Sequence, residues 1–382
     1  MSDLMERLER IAPTALAEHW DNVGLLLGSP DREVDGPVLL TIDFTEPVCE
    51  EALEAGCSAV IAYHPPVFHA FKRMTSLAPE QRAVLRAVQA GMAVYSPHTA
   101  LDAAQGGVTD WLCDMLSPED GQGDMDAVGH FADRRALRAH AAVDRREACK
   151  VVTFVPREHV ETVRNALASI GAGRIGEYEV CSFGMEGEGT FLGGAGTKPA
   201  VGEAGRLETA REIRLEMVCP ADALGLACEV IHRFHPYEEP AWDVYALSAK
   251  PDRKIGAGRK LTLDRPAPVR DLAERLKKRL GIDAVKVAAV SDSPVERVGV
   301  CPGAGASLLN EAIADGCEVF VTGEMTHHEA MSARARGCSV ILAGHTNTER
   351  GFLPIYASRI RKEAAGVQVI VSQRDRSPFR TY

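Results

Sequence analysis

The chain has 382 residues, 46% hydrophobic and 25% charged, with a formal net charge of -11. These are the proportions of a soluble globular protein with two or three domains, and the negative charge argues against a general nucleic-acid or anionic-membrane surface, leaving a local basic patch at residues 374–380. No apolar run reaches the roughly 18 residues of a membrane span, and the start, Met1-Ser-Asp-Leu-Met-Glu, lacks the apolar core of a signal peptide, so a cytoplasmic protein is expected.

In chain order, residues 3–19 carry an amphipathic helical spacing (Leu4, Leu8, Ile11, Leu16) interrupted at Pro13. The turn cluster Trp20-Asp21-Asn22-Val-Gly24 then feeds an apolar strand, as either a packed loop or a polar wall of a site. Residues 38–42 read as a strand ending at Asp43, and residues 59–62 as a strand ending at Tyr63-His64-Pro65-Pro66, where the prolines forbid further ladder pairing. An apolar run ending at Tyr95 leads into His98-Thr-Ala-Leu-Asp102.

Residues 117–148 lose this pattern and read as a linker, with room for a short exposed helix. From 149 to 250 the expected order is β-α-β, β-α-β: strand 151–155, helix 157–169, strand 214–219, helix 221–234 and strand 244–247. That order suggests a small ferredoxin-like α+β domain inserted into the chain. It carries His235-Pro-Tyr-Glu238-Glu239-Pro, which reads as a structural or subunit-contact loop more readily than as a metal site.

Residues 251–382 repeat the logic of residues 1–116. A strand at 295–300 ends in Cys301-Pro-Gly303-Ala-Gly305, a tight turn or a cradle for an anion. Glu311-Ala312, Gly316-Cys317 and the strand 319–322 align without a gap on Glu51-Ala52, Gly56-Cys57 and the strand 59–62. Glu324 and His328 follow, and the strand at 340–342 leads to His345-Thr-Asn-Thr-Glu349. The pattern H-T-x-x-[DE] thus occurs twice, and on a helical start its first and last residues share one face, a spacing that suits two ligands of one ion. Two pseudo-symmetric α/β halves are expected, with parallel sheets that collect His64, His98, Glu324 and His345 at the carboxyl ends of strands. The ten cysteines occur singly, without C-x-x-C, and read as buried packing thiols.

Taken together, Trp20-Asp-Asn-x-Gly24, Tyr63-His-Pro-Pro, His98-Thr-x-x-Asp102, Thr322-Gly-Glu324-x-x-x-His328 and Gly344-His345-x-x-x-Glu349 resemble the Nif-three-like dinuclear-metal-centre proteins, homologues of GTP cyclohydrolase I type 2. The 149–250 segment resembles the insert of the longer members. The resemblance implies a core whose halves enclose two divalent metal ions, a toroidal homohexamer, and His64, Asp102, His345 and Glu349 as ligands, one carboxylate bridging the ions. Many members have His-His where this chain has Tyr63-His64, so one ion loses a nitrogen ligand.

Imidazole and carboxylate ligands suit Zn, Fe, Mn or Ni, with zinc or iron expected here. Such a centre suits a metal-dependent hydrolase, with His328 or Glu324 relaying protons and His98 orienting the ligands, and the resemblance implies a nucleotide such as GTP as its substrate. The alternative is a non-catalytic metal-handling or nucleotide-sensing protein. A DNA-threading ring is disfavoured by the net charge.

Overall fold

The computed structural model describes residues 1–116, 133–142 and 145–379. The chain forms two compact units, one made of Met1–His140 and Asp252–Tyr382, the other of Ala141–Pro251. It is a mixed α/β protein with several sheets.

The larger unit holds two sheets. In the first, β2 (Val38–Thr41), β3 (Ala59–Ala62) and β4 (Ala93–Ser96) are fully buried along their length, as expected of parallel strands covered on both faces. They run parallel in register, Leu39 opposite Val60 and Ile61 opposite Tyr95. β1 (Gly24–Leu27) closes one edge antiparallel to β4, and β17 (Val369–Val371) the other edge parallel to β2.

The second sheet has the parallel trio β14 (Pro294–Val300), β15 (Val319–Thr322) and β16 (Ser339–Leu342), with Val300 opposite Val321 and Thr322 opposite Leu342. β13 (Lys286–Ala288) closes one edge antiparallel to β16. β12 (Arg259–Pro268) pairs antiparallel with β14, and β5 (Asp133–Arg135) with β12. One hydrophobic core joins the two sheets: Val38, Leu40, Ile61 and Tyr95 share it with Val298, Val300, Val321 and Ile341.

Helices cover this core where the 3.6-residue period predicts. The helix Ser2–Ile11 buries Leu4 and Leu8 and stops ahead of Pro13, and a short 3-10 turn at Thr14–Leu16 follows. The helix His327–Ala335 starts in a capping box, with the Thr326 side chain accepting from the Glu329 backbone and the Glu329 side chain accepting from the Thr326 backbone. The turn that holds Glu324 is thereby pinned at its far end.

Arg259 stands where the chain re-enters the larger unit. It is 1% exposed, donates to Asp110 Oδ1 at 2.9 Å, and is surrounded by the carbonyls of Ala103, Ala104, Gly256 and Gly258. A charge so deeply buried is tolerated because its fork of donors is filled.

Where it is described, the segment read as a linker carries strands. Residues 133–135 are edge strand β5, and β6 (Arg138–Ala142) pairs with β11 (Lys250–Ala257). The charge density that suggested a solvated linker is what a short edge strand carries; residues 117–132 and 143–144 lie outside the described residues.

The smaller unit runs β7 (Cys149–Val155), helix Val160–Ser169, β8 (Phe183–Leu192), β9 (Leu207–Cys219), helix Leu224–Phe234 and β10 (Trp242–Ala246). Its sheet is antiparallel with order β10-β7-β9-β8. β8 escaped the sequence reading: Phe183-Gly-Met-Glu-Gly-Glu-Gly-Thr interleaves glycines and charges and is almost wholly exposed, so no buried run announces it.

Candidate metal centre

The site lies at the carboxyl ends of parallel strands from both sheets of the larger unit, where the chain leaves buried strands and turns. Asp43 follows β2, His64 follows β3, His98 follows β4, Glu324 follows β15 and His345 follows β16. Backbone ladders carry past the strand ends and fix these turns: His64 N–H donates to the Ile42 carbonyl at 3.0 Å and Gly344 N–H to the Gly323 carbonyl at 2.9 Å.

Two imidazoles face one carboxylate. His64 Nε2 lies 3.5 Å from Glu349 Oε2, and His345 Nε2 lies 3.3 Å from Glu349 Oε1. Ligating atoms of these three residues all lie within 4.8 Å of one another, and among the described residues no other group of three or more His, Cys, Asp or Glu does so. Glu349 is only 3% exposed, and its buried Oε2 has no hydrogen-bond partner. A buried carboxylate that faces two ring nitrogens and keeps one oxygen unpartnered is the signature of a place for a cation.

The far nitrogens are held too. His64 Nδ1 is bonded to Asp43 Oδ1 at 2.8 Å and His345 Nδ1 to Glu324 Oε1 at 3.0 Å. Each carboxylate accepts a hydrogen bond from Nδ1–H, so that in the neutral ring Nε2 presents its lone pair to the pocket; this is the arrangement that orients histidines toward metals. Burial opposes a charge on His64, but its hydrogen bond to Asp43 and the Glu349 carboxylate facing its Nε2 outweigh that and raise its pKa to about 10. The pocket therefore attracts positive charge strongly. The residues present fit a divalent ion.

Gly303 closes the floor. A Cβ there would sit 2.7 Å from Glu349 Oε1 and 3.2 Å from His345 Nε2, so only glycine leaves room. Its N–H donates to Thr348 Oγ1, and Gly305 N–H to Thr322 Oγ1, so the amides of this loop serve the turn and are not offered to an anion.

His345 and Glu349 do not meet on an α-helix, as their spacing suggested. Residues Thr346–Thr348 form a 3-10 turn that brings the two together within one short loop. The first copy of the pattern does form a helix, His98–Ala103, but its two residues part company. His98, at a φ of 29°, turns its Nδ1 to Asp21 Oδ1 at 2.7 Å. Thr99 also donates to Asp21 through its backbone and hydroxyl, and the Asp21 side chain is fully buried.

Asp102 accepts from the Tyr63 hydroxyl at 2.5 Å and lies outside the three-residue group. Burial raises its pKa to about 7. His328 is exposed on its helix beside His327 and joins none of these contacts. Sequence reasoning missed Asp43 and left Asp21 as one of two readings; their signal was a lone aspartate just past a strand and one beside Trp20.

The centre opens into a cleft of about 490 Å³, lined by Asp43, His64, Glu324, His345, Asn347 and Phe379. His235, by contrast, is spent on structure: its Nε2 donates to the Phe154 carbonyl at 2.9 Å and its Nδ1 accepts from the Tyr237 N–H at 3.1 Å.

The chain matches known proteins over most of its length. A protein named GTP cyclohydrolase 1 type 2 homolog from Bacillus subtilis is 33% identical, with 98% of this chain and 97% of that protein covered. One of the same name from Mycobacterium tuberculosis is 35% identical over 91% of this chain and 88% of its own. Among solved structures, the Bacillus cereus protein related to NIF3 is 30% identical with a TM-score of 0.69, and Staphylococcus aureus protein SA1388 is 25% identical with a TM-score of 0.79; each comparison covers 100% of this chain and 98% of the other. A family model described as Duf34/NIF3 (NGG1p interacting factor 3) matches residues 1–378, and the chain belongs to that family.

Proposed function

We propose that the chain is a metal-dependent hydrolase acting on a nucleotide-like substrate, with His64, His345 and Glu349 holding a divalent ion, zinc or iron ahead of manganese or nickel. The observation that carries this is the buried Glu349 carboxylate, one oxygen orphaned, facing two imidazoles whose far nitrogens are already held, at the mouth of a cleft large enough for a small molecule. An ion held there supplies Lewis acidity for hydrolysis near neutral pH.

The chain's own residues do the rest. Asp43 and Glu324 keep the two imidazoles in the ligating tautomer, so Glu324 is a positioning residue acting through His345. His98, with Nδ1 held by Asp21 and its ring centroid 5.4 Å from that of His64, is placed to take up or return a proton at Nε2. The names of the relatives favour GTP and ring-opening hydrolysis as the first substrate and reaction to try.

The wider reading is that two pseudo-symmetric α/β halves, residues 1–116 and 251–382, form the metal core, with a ferredoxin-like insert at 149–250. The matching edge-and-trio order of the two sheets and the β10-β7-β9-β8 order of the small unit support it. A cytoplasmic homohexamer is part of the same proposal; sedimentation at one chain's mass would count against the ring. The expectation of two ions requires Asp102 to join the other three residues.

Zinc- and iron-loaded protein should be assayed against purine nucleotides, phosphoesters and amides beside His345→Ala. Turnover that disappears in the variant is expected; equal rates in both would sink the hydrolase reading. A metal-handling or sensing protein is the second reading, favoured by a separate cleft of about 680 Å³ in the small unit, lined by Phe154, Arg214, Tyr237 and Glu238.

A further inference from the structure

We infer that Tyr63 limits this centre to a single metal ion, an inference that rests on the metal-centre reading above. Three observations carry it. First, among the described residues only His64, His345 and Glu349 bring three ligating atoms within 4.8 Å of one another. A second ion would have to recruit Asp102, which stands next to the group without joining it.

Second, Asp102 is already engaged. Its Oδ1 accepts the Tyr63 hydroxyl proton at 2.5 Å, so on that side the carboxylate faces a proton donor, where a ligand for a second ion would need an open lone pair. Tyr63 cannot easily swing away, since it is 2% exposed and its carbonyl is held by the Ser96 hydroxyl at 2.8 Å. Its ring also fills the space beside His64, with centroids 5.0 Å from the His64 ring and 5.5 Å from the His98 ring.

Third, Glu349 Oε2 is buried without a hydrogen-bond partner, which gives the three-residue group one open oxygen for one cation. Asp102 then serves as the acceptor that fixes the Tyr63 ring as a wall of a mononuclear site.

The test is metal content per chain by elemental analysis on full-length protein purified without chelator or affinity metal, then saturated with zinc and desalted, for wild type, Tyr63→His and Tyr63→Phe, with circular dichroism to confirm folding. One equivalent is expected in wild type. Tyr63→Phe keeps the wall without the hydroxyl and should hold one equivalent with an unchanged visible absorption spectrum when cobalt replaces zinc. Tyr63→His supplies a nitrogen and releases Asp102, and should rise to two.

Two equivalents in wild type would overturn the inference while leaving the metal-centre reading intact. So would a single equivalent in folded Tyr63→His, or loss of the ion in folded Tyr63→Phe, which would make the phenol itself a ligand. No bound metal in folded wild type would overturn the inference together with the reading beneath it. If Tyr63→His does not fold, wild type and Tyr63→Phe decide the matter.

Discussion

Gly303 approaches Glu349 so closely that a methyl group on its Cα would lie 2.7 Å from Oε1. Its φ of 59° adds strain for any residue with a Cβ. Gly303→Ala must displace the carboxylate that both imidazoles face. A metal affinity lowered about tenfold or more, in a folded protein, is the expected result of a competition titration with a chromophoric chelator; unchanged affinity would show that Glu349 is not a ligand.

Asp43→Asn and Glu324→Gln each keep the shape of the partner on a histidine Nδ1 while removing its charge. Each should weaken metal binding about 10- to 100-fold and leave the fold intact. The two histidines share Glu349 and one ion, so the losses should be coupled and the double variant should fall short of the product of the two factors, to be read by calorimetric titration.

Without metal, His64 carries its own pH signature. Its folded pKa, raised to about 10 by Asp43 and Glu349 against burial, lies above the ordinary 6.5. The stability it contributes is therefore fully present below pH 6.5 and is lost as pH rises through about 10. Thermal melts of chelator-treated wild type should fall across this window more steeply than those of His64→Gln. Zinc, which uses the neutral ring, should flatten the difference.

Arg259→Ala tests the larger unit apart from its chemistry. The substitution removes the closest cation from Asp110, whose side chain is 4% exposed and keeps only the Gly106 N–H and Arg134 at 3.7 Å, and leaves four backbone carbonyls short of a donor. A loss of about 3–5 kcal/mol in denaturant unfolding is expected. A loss below about 1 kcal/mol would mean that water replaces the guanidinium.

The parallel strands were legible because burial on both faces leaves unbroken apolar runs such as Val38-Leu-Leu and Val340-Ile-Leu, and the strand-end histidines because packing does not explain them. Periodicity misjudged the local geometry of the second motif: four-residue spacing is compatible with an α-helix, but the 3-10 turn at Thr346–Thr348 achieves the same meeting of His345 and Glu349. The partners of these histidines were harder to see. Asp43 and Asp21 are single aspartates whose meaning depends on where His64 and His98 stand in space, and β8 has no buried face to impose a pattern. Tyr63 was visible as a departure from the family, but its bond to Asp102 is a tertiary fact.

The most direct test of the centre is an anomalous difference map from crystals of zinc- or iron-loaded protein, collected on either side of the metal's absorption edge. A peak about 2.0–2.2 Å from Nε2 of His64, Nε2 of His345 and a Glu349 oxygen is expected. An empty map there, or a peak instead at His327 and His328, would contradict the assignment on which the proposed function stands.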